Sequence, residues 1–146
     1  MIAAAGLVAA LLARPAPLDD RWLLMGATAG VRLLEADSPA VQVGGEVSLV
    51  FTDTGGEWQG LYVDAVLVPE TGLLQGSIGA ELGRSFLGLD AGLLGVLDED
   101  QHPHIGARAR VVATLAFVGV YAGFGGVGGR GAFAEVGTLV KVPLPL

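Results

Sequence analysis

His102 and His104 flank Pro103 and follow closely on Asp98, Glu99 and Asp100; they are the only two histidines in the chain. Imidazole beside carboxylate is the donor set that divalent transition metals take, and the proline keeps both rings on one extended segment. Asp98, Asp100, His102 and His104 are therefore candidate metal ligands. The plainer reading is a polar loop between two strands, because a tight site needs ligands fixed by a rigid scaffold, and it is preferred. A second constellation sets Arg108 and Arg110 against Glu81 and Asp90. Four such groups could hold a small anion or simply neutralise one another, and neutralisation is preferred in a narrow interior. The glycine-rich run 123–131 lacks the Lys-Ser/Thr ending of a phosphate loop and is read as a flexible hairpin loop. No nucleophile elbow or triad spacing occurs, and the chain has no cysteine to supply a thiolate. No catalytic residue, cofactor site or enzymatic activity is expected.

The elements that must position these groups follow a period of two. Between Val41 and Thr52, Val41, Val43, Gly45, Val47, Leu49 and Phe51 share one face. Gln42, Gly44, Glu46, Ser48 and Thr52 share the other, broken only by Val50. The same alternation runs over 73–83, 86–94 and 105–114, and further strands are read at 21–35, 58–68, 117–124 and 132–142. Turn signals separate most of these runs, but none marks the boundary near Ala116, so 105–124 could also be one strand, leaving seven. Three segments share the form aromatic-x-Gly-aliphatic-(Tyr/Asp)-small: Trp58 to Val63, Phe86 to Ala91 and Phe117 to Ala122. Their spacing is about one hairpin, the mark of a meander barrel. It predicts an all-β, antiparallel up-and-down barrel of about eight strands, with Trp58, Phe86 and Phe117 at one rim.

Composition says which face meets water. Hydrophobic residues make up 52% of 146, charged residues only 16%, and glycine contributes 24. No apolar run approaches the roughly 20 residues of a transmembrane helix, so the apolar excess belongs to strands. The polar faces are small and poor in lysine, unlike a solvated surface. Mid-strand charges balance, with Glu46, Asp64, Glu81, Asp90 and Glu135 against Arg32, Arg108, Arg110 and Lys141. These are expected to pair inside a lumen, the aliphatic faces meeting lipid. A net charge of −7 excludes a nucleic-acid partner, for want of a basic patch.

Residues 1–20 are apolar and signal-like, or a short helix packed on the barrel, with Arg14-Pro15-Ala16-Pro17 as a linker; 21–146 form the single barrel domain. The stretches 132–144 and 78–92 resemble the closing strand and a hairpin of small, uncharacterised outer-membrane β-barrel proteins of Gram-negative bacteria. That resemblance, over the last half of the chain, implies a barrel in the outer membrane and carries over no binding residue. The chain departs from the class in ending Pro143-Leu144-Pro145-Leu146 rather than on an aromatic. The leading expectation is a structural or interaction protein, its lumen filled by side chains. Outer-membrane lipid would surround it and its loops would meet any protein partner. The alternatives are a soluble, periplasmic or secreted barrel with an apolar ligand in an aliphatic interior, and a lipid-modifying enzyme with an unidentified rim nucleophile.

Overall fold

A strand that is aliphatic at every second position can shield only one face, and a meander of such strands leaves two open edges unless it closes. The computed structural model, which describes residues 20–34, 39–97 and 102–146, is closed. It is an all-β, antiparallel, up-and-down barrel of eight strands: β1 (Asp20–Leu34), β2 (Ala40–Thr52), β3 (Glu57–Val68), β4 (Leu73–Arg84), β5 (Leu87–Leu97), β6 (Pro103–Leu115), β7 (Val118–Val127) and β8 (Gly131–Pro145). Each strand pairs with the next, and β8 returns to β1 from Trp22↔Pro145 to Leu34↔Phe133. The signal-like segment 1–19 and Asp98, Glu99 and Asp100 lie outside the described residues.

The strand number resolves at Ala116. Leu115 pairs with Val118 across a two-residue turn in which Ala116 has φ +53°. Its counterpart, Arg84↔Leu87, encloses Ser85 at φ +52°. Left-handed backbone normally announces itself through Gly or Asn, so an alanine there gives no turn signal. The opposite correction applies to the glycine-rich run. Gly123, Gly125 and Gly126 are paired strand residues of β7, and only 128–130 form a turn. Glycine is needed there because inward neighbours crowd the backbone: a Cβ on Gly123 would meet the Arg110 side chain at 2.7 Å.

The faces are sorted with apolar residues outside. Val43, Val47, Leu74, Ile78 and Leu89 are all exposed, Ile78 by 60%, and Ala109 is half-buried. Gln42, Glu46, Ser48, Asp64, Gln75, Arg108 and Glu135 are buried. The aliphatic interior expected of a soluble carrier is therefore not found; the middle of the lumen is charged. No connection between strands exceeds five residues.

The strand ends define two rims. The terminal rim carries the start of β1, the end of β8 and the connections 53–56, 85–86 and 116–117. The opposite rim carries the ends of β1 and β5, the starts of β2 and β6, and the connections 69–72 and 128–130. Trp58, Phe86 and Phe117 stand together at the terminal rim, because β3, β5 and β7 run the same way. They do not form a girdle, however. Phe86 and Phe117 are exposed, whereas the Trp58 indole lies inward, against the positions a Cβ on Gly83 or Gly88 would occupy.

Candidate functional site

The lumen holds nearly all the chemistry of the chain, in three layers. An eight-stranded interior is only just wide enough for side chains, so each inward residue must be satisfied by its neighbours across the barrel.

The middle layer is a charge ladder centred on two arginines that β6 presents inward at alternate positions. Arg110 Nε donates to both Asp90 oxygens, at 3.0 and 2.8 Å, and its Nη2 donates to Glu46 Oε2 at 2.7 Å. Its guanidinium lies 5.3 Å from the Tyr62 ring and 5.2 Å from the Tyr121 ring. Arg108 pairs with Asp64, donates to Ser77 Oγ at 3.0 Å and stands 3.6 Å from Glu135. Arg32 donates to Gln75 Oε1 at 2.6 Å, lies 3.7 Å from Glu135 and caps the Phe133 ring at 4.2 Å. Lys141 reaches Glu46 Oε1 at 2.5 Å, Glu81 Oε2 at 3.2 Å and Ser48 Oγ at 2.8 Å. Thus Arg32, Glu46, Asp64, Glu81, Asp90, Arg108, Arg110 and Glu135 all face the lumen. Glu81, however, pairs with Lys141 rather than with an arginine, and the cations are enclosed by carboxylates from several strands. That leaves no open anion site on Arg108 and Arg110.

The tyrosines were the less legible members. Tyr62 and Tyr121 occupy the fifth position of the repeated segment, and Asp90 is its third instance. The structure brings these three positions together around Arg110. The repeat therefore encodes the coordination of one arginine. Each tyrosine also lies against paired glycines: a Cβ on Gly79 would meet Tyr62 Cε1 at 2.7 Å, and one on Gly137 would meet Tyr121 Oη at 2.6 Å. Rings lying flat on glycine backbones fill an interior too narrow for a ring beside a second side chain.

Towards the opposite rim, Ala40, Val68, Leu73, Leu94, Val96, Val127 and Phe133 form a continuous apolar plug. Towards the terminal rim the lumen is hollow. A cavity of about 440 Å³ has apolar walls that include Trp22, Trp58, Val50 and Leu139, and Glu46, Glu81, Asp90 and Lys141 at its inner end. Of the inward glycines at the third position of the repeat, Gly119 lines the cavity, whereas the space beside Gly88 is taken by the Trp58 indole and that beside Gly60 by the Leu49 carbonyl. Sequence reasoning did not anticipate the cavity, because it is a property of the whole cross-section.

Of the candidate metal ligands only His102 and His104 lie among the described residues; Asp98 and Asp100 do not. His102 is exposed, and His104 Nδ1 lies 3.2 Å from the Gly128 carbonyl. Among the described residues no group of three or more His, Asp or Glu side chains is placed to hold a metal ion.

Neither a protein-family model nor a curated protein sequence matches the chain. Solved structures do. A de novo designed transmembrane β-barrel aligns at TM-score 0.51 and 12% identity, over 83% of this chain and 95% of that one. Neisserial surface protein A aligns at TM-score 0.52 and 15% identity, over 84% of this chain and 96% of that one. The fold is that of the small eight-stranded barrels to which these two belong.

Proposed function

We propose that this chain is a small outer-membrane β-barrel with a structural or interaction role, closed to through-passage of solute. The observation that carries the reading is the continuous aliphatic exterior. Val43, Leu61, Val63, Ile78, Leu89, Val111, Val120 and Val140, spread over seven of the eight strands, are each 43–60% exposed, a far larger apolar area than soluble monomers leave to water. Strands of 10–15 residues are long enough to cross hydrocarbon when tilted. The charge ladder and the plug block the lumen, which argues against a channel. The short connections turn attention from the loops to the outer wall as the surface for lipid or another membrane protein.

The test is behaviour in detergent. The folded full-length chain should require detergent or bilayer, migrate faster on a gel before boiling than after it, and show no steady conductance in a planar bilayer. A monomer that stays dispersed in buffer alone would overturn the membrane reading and return a secreted barrel in its place.

A further inference from the structure

The cavity at the terminal rim has the features of a ligand site, and its polar end is selective. Its volume of about 440 Å³ lies in the range of small-molecule pockets, with apolar walls and few polar groups. The cations at its inner end are spent. Lys141 has three ammonium protons and three acceptors within 3.2 Å: Glu46, Glu81 and Ser48. Arg110 is held by Asp90 and Glu46 and does not line the cavity. An incoming anion would meet only the Lys141 ammonium, already shared among three acceptors. Glu81 is different. It lines the cavity, is 5% exposed, and uses Oε2 for Lys141 while Oε1 accepts no hydrogen bond. The final torsion of a glutamate is broad, so its carboxylate can turn towards a donor in the cavity.

Charge counting points the same way. Among the described residues, the lumen carries five carboxylates (Glu46, Asp64, Glu81, Asp90, Glu135) and four cations (Arg32, Arg108, Arg110, Lys141). That leaves an excess of one negative charge. At the mouth, Asp20, Asp53 and Glu57 outnumber Arg21 and Arg84.

We propose that this cavity binds a small amphipathic amine, its apolar body between Trp22 and Trp58 and its ammonium on Glu81. The inference does not depend on which compartment holds the barrel.

Trp22 and Trp58 are the only tryptophans in the chain and both line the cavity, so intrinsic fluorescence reports its occupancy directly. The full-length barrel in detergent is titrated with 2-phenylethylamine, 2-phenylethanol and 3-phenylpropionate, which share a body and differ in head group. Heat-modifiable migration of the same preparation checks the barrel itself. The amine should give a saturable change, with the alcohol at least roughly tenfold weaker, because its hydroxyl can still donate to Glu81 but carries no charge, and the carboxylate showing none, because it has no proton to donate and repels Glu81. Glu81→Gln should erase the preference for amine over alcohol. Val112→Phe, which fills the cavity from another wall and leaves Glu81 intact, should weaken both. Equal binding of amine and alcohol by the parent chain, amine binding unchanged in E81Q, or no saturable change with any probe would each overturn the proposal.

Discussion

The two ends of the lumen obey the same alternation and are filled in opposite ways. Towards the opposite rim Val68, Leu94, Val96 and Phe133 pack into one buried apolar cluster, with the Phe133 ring over the inward-facing Gly125. Towards the terminal rim the walls, Trp22, Trp58, Val50 and Leu139 among them, stand apart around a cavity. Between them lies a layer that can be neither compressed nor opened cheaply, because its charges satisfy one another across the barrel. Burying ions costs several kcal/mol each unless partners and hydrogen bonds replace water, so this layer fixes how the strands register. The plug then adds ordinary packing energy, and the hollow end gives some of it up. A region of a protein that forgoes packing next to an ionic floor with one carboxylate oxygen left without a donor is a place where something else can be accommodated.

Six substitutions test that contrast. Arg110→Ala strikes the layer the two ends share and strands Glu46 and Asp90 without their guanidinium. Loss of one partner from a buried network costs about 3–5 kcal/mol, which denaturant unfolding in detergent should read as a barrel that melts far earlier or fails to close. Leu94→Ala in the plug should cost about 2–5 kcal/mol in the same assay, whereas truncating Leu139, which borders the cavity, should fall at the low end of that range. If both cost the same, the two ends are equally packed and the contrast fails. On the outer wall, Val63→Arg places a cation in the hydrocarbon contact and should cost about 2–4 kcal/mol in a bilayer; a soluble barrel would tolerate it. The smallest effect sharpens the comparison most. Val96→Phe overfills the plug and should destabilise by about 1–3 kcal/mol. Val112→Phe, beside the cavity, should be close to neutral.

Much of this was legible before any coordinates. The alternation in 41–52 and 73–83 assigns Gln42, Glu46, Ser48, Gln75, Ser77 and Glu81 to one face, and the structure buries all six. Strand ends were found within about three residues. The strand break at Ala116 was read without a turn signal, leaving seven strands open, because alanine takes the left-handed turn position there. The misjudgement was the glycine-rich run: Gly123 to Gly126 continue a strand with residues that usually interrupt one, where Arg110 and Phe133 crowd Gly123 and Gly125. The candidate site was half legible. Which residues face inward follows from parity, but which carboxylate meets which cation does not, as Glu81 with Lys141 shows.

By itself, then, the sequence determined the strands, the meander and the sorting of apolar from polar faces, because a period of two is a local property that each strand carries alone. Closure decided the rest. Only when β8 met β1 did residues separated by scores of positions become neighbours, Gln42 with Glu135 and Arg110 with Glu46. The plug at one end and the hollow at the other are likewise properties of a cross-section, a sum over eight strands that none of them contains.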